Sequence, residues 1–203
     1  MMSGKRWGYV VQFFCLLVFF GMSPFLIKMD GRKTMSVSSD SVRSQNVSDE
    51  VKPVVALTFD DGPNASSTPI LLDGLKERKV RATFFLIGEN VEKDENEKIV
   101  KRMYEEGHLI GNHTYTHCNL SKLETGEAKK ELEQTDTVIE KITGKQPVFV
   151  RAPYGELPVD SEQDLNRIYI GWTVDPLDWM TEDAGAVVKT VVEEINPGDV
   201  ILF

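Results

Sequence analysis

At 203 residues the chain has room for one domain of roughly 150 residues plus extensions, enough to bury a core. The net charge of −9 is uneven: residues 1–50 carry six Lys/Arg against four Asp/Glu, and residues 51–203 seventeen against twenty-eight. An acidic domain repels phosphate backbones, which sets nucleic acid aside as a partner, and two isolated cysteines, Cys15 and Cys118, set aside a disulfide framework.

In chain order, the basic residues Lys5 and Arg6 precede an uncharged run of 21 positions, Trp7 to Ile27. That is the length an α-helix needs to cross a bilayer. No A-x-A-like cleavage site follows it. The expected reading is a short cytoplasmic N-terminus (1–6) and a transmembrane signal-anchor (7–27), with a cleaved signal and a buried helix as alternatives. Both flanks are basic, so charge does not set the orientation. Residues 28–50 hold six serines and no apolar periodicity, which reads as a flexible tether. The globular domain is expected over 51–203.

Within it, strand and helix signals alternate. Val54-Val55-Ala56-Leu57 suits a buried strand, and Ser67-Thr68-Pro69 a helix start with a capping hydroxyl. Ala82 to Ile87 reads as a second strand, followed by a charged helix to about Glu106 that Gly107 closes. Leu109-Ile110 is a brief strand. Ala128, Leu132, Thr135, Ile139 and Ile142 share one helical face, which Gly144 ends. Val148–Val150, Ile168–Val174 and Val200–Phe203 are further strand candidates. The alternation predicts an α/β fold with a largely parallel sheet; whether that sheet is open or closed does not follow from it.

Four clusters carry possible chemistry. Thr58-Phe59-Asp60-Asp61-Gly62-Pro63 closes the first strand, where one carboxylate can hold a metal while its neighbour handles protons. Alone, Asp-Asp-Gly equally describes a solvated turn. His113 and His117 can converge on one cation from a loop, or be two unrelated surface histidines. One Asp and two His leave coordination positions for water, as catalytic metal sites do, and Asp60 is placed to take a proton from such a water. Arg151 in Arg-Ala-Pro-Tyr-Gly would hold Asp60 ionised, although an Arg in a Pro-Gly loop is ordinarily a surface residue. Asp175-Pro-Leu-Asp178-Trp179 offers two acids and an indole.

Taken in order, T-F-D-D-G-P, H-T-x-x-H, R-x-P-Y-G and D-x-x-D-W closely resemble four of the five motifs of the NodB-homology polysaccharide deacetylases (carbohydrate esterase family 4), over roughly residues 53–203. The resemblance implies a distorted (β/α) barrel. It implies Asp60 as catalytic base, Arg151 as the residue orienting it, and Asp61, His113 and His117 as ligands of one divalent metal ion, usually Zn2+. The backbone N–H of Tyr154 would be the oxyanion donor, and Trp179 and Leu202 would line the substrate groove. Asp175 would orient a general-acid His.

That His belongs to the fifth motif, L-x-H, which Leu202-Phe203 would begin. The barrel is therefore expected to be incomplete at its C-terminal end, and the chain to be a fragment or a prematurely terminated product of reduced activity. Cys118, where the family often has Pro, is not expected to be a fourth ligand. Three readings of function follow: an N-deacetylase on peptidoglycan or a chitin-like N-acetylglucosamine polymer, an O-deacetylase of the xylan-esterase kind, and an inactive glycan-binding remnant. An acetylated polysaccharide and the membrane are the expected partners, with the domain extracytoplasmic, or secreted if the N-terminal segment is cleaved.

Overall fold

The computed structural model describes residues 54–93, 95–159 and 166–203. The expected cytoplasmic N-terminus, signal-anchor and tether lie outside the described residues. Among the described residues no helix is long and apolar enough to cross a membrane.

Six strands form one sheet: β1 (Ala56–Gly62), β2 (Thr83–Leu86), β3 (Leu109–Asn112), β4 (Phe149–Val150), β5 (Ile168–Tyr169) and β6 (Val200–Leu202). Their order is β5-β4-β3-β2-β1-β6 and every pairing is parallel. Among the described residues, five α-helices connect or flank them: α1 (Thr68–Glu77), α2 (Gly88–Val91), α3 (Asn96–Glu105), α4 (Thr125–Thr143) and α5 (Ala184–Glu194).

The sheet is curled into a half-barrel, and chain geometry requires the curl. Val174 bridges the outer side of β6 at Ile201, whose other neighbour is Leu57 of β1. In a flat sheet Val174 would lie six strand spacings from β5, about 29 Å. Tyr169, the end of β5, is only five residues before Val174, a reach of about 17 Å at most. The two edges must approach each other.

One core lies between the helices and the middle of the sheet, built from Leu72 and Leu75 of α1, Phe84 and Leu86 of β2, Ile99, Val100 and Met103 of α3, and Ile139 of α4. A second joins Ala128 and Leu132 of α4 to Val150 and Ala152 around β4. The α4 face expected from Ala128, Leu132, Thr135, Ile139 and Ile142 is the face that packs: the first four are buried, and Ile142 lies half-buried against the first core. Gly144 ends the helix at φ 71°, in the left-handed region that costs a residue without Cβ least.

Several local readings are corrected. The first strand runs on to Gly62, so the Asp-Asp pair is part of its end. Ser67 makes no side-chain cap; Asn64 does the work instead, its Oδ1 accepting the N–H groups of Ser66 (2.9 Å) and Ser67 (3.1 Å). The charged helix before Gly107 is two helices, α2 and α3, with Glu95 at φ 71° immediately before the second. The apolar run Ile168–Val174 is not one strand: β5 ends at Tyr169, and the carbonyls of Ile170 and Gly171 turn to the Arg151 side chain at 3.3 and 2.9 Å. Helix α5 was not anticipated, although Asp183 caps it from Gly185 and Ala186 N–H.

Candidate active site

The C-terminal ends of β1, β3 and β4 place the chemistry, as expected for a parallel α/β sheet. Asp60 and Asp61 end β1. His113 follows β3 directly, and the loop it begins carries His117. Arg151 follows β4. The carboxylate of Asp61 lies with its Oδ1 3.3 Å from Nε2 of His113 and 3.2 Å from Nε2 of His117.

Those three residues form the one Asp/His cluster of metal-ligating geometry among the described residues. The donor set fits a divalent cation in size. Ligand bonds of about 2.0–2.1 Å in a tetrahedron give ligand–ligand edges of about 3.3–3.4 Å. It also fits in chemistry. Nδ1 of His113 faces the Arg151 carbonyl at 2.7 Å, which can only accept, so Nδ1 carries the proton and Nε2 keeps its lone pair for a ligand. The Tyr154 hydroxyl stands 3.4 Å from Nδ1 of His117. Burial holds the His117 imidazole below its ordinary value, which favours the neutral form a cation needs.

Asp60 sits behind Asp61, with Oδ2 3.8 Å from Nε2 of His113. Its Oδ1 accepts from Nη1 of Arg151 at 2.8 Å. Burial pushes the Asp60 carboxyl above its ordinary value, and Arg151 pulls it back. The guanidinium, 1 % exposed, is satisfied on every side. Nη1 also donates to Thr58 Oγ1 (2.7 Å), Nη2 to the Gly171 carbonyl (2.9 Å) and Nε to the Ile170 carbonyl (3.3 Å). Its plane lies 4.3 Å from the Phe85 ring centroid. Burial lowers the Arg151 pKa, but a guanidinium remains charged throughout the working pH range.

The backbone here is held in unusual conformations. Asp61, Thr114, His117 and Tyr154 have φ of 64°, 65°, 59° and 63°, left-handed values that side chains rarely adopt. Each aims a group at the site or sits beside one that does.

The remaining predicted residues are less concentrated. Tyr154 is 66 % exposed and its ring meets that of His117 edge-on at 5.0 Å. Trp179 is 71 % exposed. Asp175 caps its own turn, accepting the Leu177 N–H at 3.0 Å. Burial first raises the Asp178 carboxyl pKa, with the charges of Asp175 and Asp61 adding to it and the Trp179 N–H opposing it. Leu202 pairs with Thr58 in the β1–β6 ladder, at the same sheet end as Asp60. Cys118 is a half-buried free thiol that does not join the Asp-His-His cluster.

Supporting residues that the sequence did not signal are Thr58, whose hydroxyl links Arg151 to the Ile201 carbonyl (2.6 Å), and Asn90, whose Nδ2 holds the Asp61 carbonyl at 2.8 Å. Asn112 receives the Thr114 N–H at 2.8 Å and is itself anchored on Asp136 at 2.6 Å. An Asn or Thr has no sequence pattern that marks it as support.

The parallel half-barrel thus brings together an Asp-His-His cluster that could hold a metal ion and a buried Asp–Arg pair beside it. The polysaccharide deacetylase family model matches residues 48–170, and the chain belongs to that family. It is 44 % identical over 154 residues to the peptidoglycan-N-acetylglucosamine deacetylase of Bacillus cereus, covering 74 % of this chain and 55 % of that protein. The chain thus spans about half the length of that relative, and less of the Bacillus subtilis peptidoglycan-N-acetylmuramic acid deacetylase PdaC, of which it covers 34 %. Among solved structures, Bacillus subtilis PdaC superposes with a TM-score of 0.72 at 38 % identity, over 76 % of this chain and 75 % of that one. A family 4 acetyl xylan esterase from Clostridium thermocellum, in complex with a cobalt ion, superposes at 0.69 and 32 % identity, over 73 % and 72 % of the two chains.

Proposed function

We propose that this chain is the deacetylase domain of a hydrolase that removes N-linked acetyl groups from a cell-surface polysaccharide, with peptidoglycan N-acetylglucosamine as its substrate. The observation that carries the reading is the juxtaposition of the Asp61–His113–His117 cluster with the Asp60–Arg151 pair. A Zn2+ held by the three ligands would supply Lewis-acid chemistry, making water nucleophilic at neutral pH and polarising a carbonyl. The protein's own residues do the rest. Asp60 takes a proton from the attacking water, and Arg151 fixes which carboxylate oxygen faces it. The Tyr154 N–H is the donor to the oxygen that gains charge as the carbonyl carbon becomes tetrahedral. The carbon–nitrogen bond then breaks, acetate departs, and the sugar nitrogen leaves as an amine carrying the proton that Asp60 took from the water.

Exposed Trp179 offers an apolar face for a sugar ring. The names of the Bacillus cereus and Bacillus subtilis relatives support peptidoglycan over other polymers. The likeness to the acetyl xylan esterase supports the second reading, ester cleavage from the same site. The uncharged run 7–27 and the Ser-rich residues 28–50 support single-pass anchoring with the domain outside the cell, where such a substrate lies.

Acetate release from purified peptidoglycan, an N-acetylglucosamine oligomer and acetyl xylan, each with Zn2+ and with chelator, tests the proposal. Release from the N-acetylated substrates that the chelator and Asp60→Asn both abolish is the expected result. Release from xylan alone would replace it with the esterase reading, and glycan binding without acetate from any substrate would leave a binding remnant. Membrane fractionation with a reporter fused after residue 203 tests the anchoring.

A further inference from the structure

The chain between the two histidines is neither helix nor strand, so its shape must be imposed from outside. Part of that shape comes from α2. The N–H groups of Gly88 and Glu89 each donate at 3.0 Å, to the carbonyls of Thr114 and Tyr115. The amide side of the loop is gathered by one carboxylate on α4. Oε2 of Glu131 accepts the N–H of Tyr115 at 3.0 Å and that of Thr116 at 2.9 Å. Oε1 accepts the Thr116 hydroxyl at 3.1 Å. Consecutive amides converging on one anion form a nest, and this nest is filled from within the protein.

We infer that Glu131 is the positioning residue of the metal centre, setting the separation and aim of His113 and His117 by anchoring the chain between them. The inference rests on the metal-centre reading given above. Glu131 is not itself a ligand. Its oxygens are taken by the loop, and it is not part of the Asp61–His113–His117 cluster. What it opposes is local: Thr114 and His117 flank the nest at φ 65° and 59°, left-handed conformations that a side chain bearing a Cβ resists. Two amides without their acceptor would give the loop a reason to relax, and relaxation moves the His117 imidazole. Further along α4, Asp136 anchors Asn112, whose Oδ1 accepts the Thr114 N–H, so one helix braces both the start and the middle of the ligand loop.

The test is made on the full chain, stripped of metal by chelator dialysis and titrated with Co2+, read by its visible d–d bands, and with Zn2+, read by competition with a chromogenic chelator. Glu131→Gln keeps the shape of the side chain but loses the charge and one acceptor oxygen. It is expected to bind both ions roughly 10- to 100-fold more weakly, the range for residues that orient metal ligands, and to shift the Co2+ bands. Thr116→Val, which removes an exposed contact only, is expected to lose less. Circular dichroism at 25 °C separates this from unfolding; if Glu131→Gln does not fold, Glu131→Asp, too short to hold both amides, replaces it with the same expectation. A folded variant with wild-type affinity and an unchanged Co2+ spectrum would overturn the inference alone. Wild-type protein that binds neither ion would instead remove the metal-centre reading, and this inference with it.

Discussion

Arg151 and Asp60 meet at 2.8 Å across 91 positions of sequence, and the two sides of the pair are not equally supported. Arg151 keeps three further acceptors if Asp60 loses its charge: Thr58 Oγ1 and the carbonyls of Ile170 and Gly171. Asp60 has no comparable reserve if the guanidinium is removed. Taking away one partner of a buried pair and leaving the other's charge costs about 3–5 kcal/mol. Arg151→Ala is expected to destabilise in that range and Asp60→Asn by clearly less, while both abolish acetate release. Urea unfolding of the two variants checks this, and equal losses would contradict it.

A cation held by Asp61, His113 and His117 would stabilise the fold by mass action. At about 100 times its dissociation constant a ligand that binds only the folded state adds about 2.7 kcal/mol, or on the order of 5–10 °C in a domain of this size. Wild-type protein with excess Zn2+ is expected to melt that much above protein in chelator, and His117→Ala to show no shift. A scanning-fluorimetry experiment in which the variant shifts like wild type would remove His117 from the ligand set.

His108 sets an acid limit on stability. It is buried, its Nδ1 accepts the Ala82 N–H at 3.1 Å, and its ring meets Phe84 edge-on. Burial holds its pKa below the ordinary value; Arg81 and Arg102 add to that, and Glu106 opposes it. The unfolded chain therefore takes up this proton first. The stabilising contribution is complete above the ordinary value of about 6.5 and declines as pH falls below it. Comparing wild type with His108→Leu isolates the effect. The variant is less stable at neutral pH because Ala82 loses its acceptor, yet its urea midpoint is expected to fall less between about pH 7 and 5. Parallel pH profiles would refute the assignment.

Gly88 is a spacer between α2 and the ligand loop. A Cβ there would lie 2.4 Å from Cδ2 and 3.1 Å from Cα of Tyr115, and 2.8 Å from Thr135 Oγ1. The ring can swing away, but the Tyr115 backbone is held by its own hydrogen bonds. Gly88→Ala is expected to cost about 1–3 kcal/mol and to weaken Co2+ binding, whereas Gly126→Ala, with open space around its Cβ, should leave binding unchanged. Identical Co2+ affinities for the two would show that the approach is not tight.

Much of this was legible from residue order. The Asp60-Asp61 pair and His113 stand directly after strand runs, with His117 four residues on, and parallel strands deliver their ends to one face, so the residues that could hold a metal ion could be named before any coordinates. The Gly-terminated helix α4 was equally plain from its spacing. Arg151 was harder: in a Pro-Gly loop it reads as a surface residue, and its burial depends on Thr58 and Asp60 from the far end of the chain. The same long-range partnership broke the run Ile168–Val174, because carbonyls turned to a guanidinium cannot join a strand ladder. Glu131 had no signature at all. On a helix that also carries Glu127, Glu133 and Glu140, nothing in the spacing distinguishes the glutamate that meets two loop amides from Glu127, which caps the helix start, or from the others.

The left-handed backbone at Asp61, Thr114, His117 and Tyr154 also bears on how this domain can be altered. Thr114 and Tyr154 contribute no ligand side chain, and glycine at either would relieve about 1–2 kcal/mol of conformational cost while enlarging the unfolded ensemble. A library screened only for heat resistance would treat these positions as negotiable. One screened for cation retention would hold them fixed, since a loop free to settle elsewhere no longer presents His117. The two selections should thus draw opposite sequence preferences from the same few residues, making this loop the place where adaptation to temperature and adaptation to scarce metal would collide.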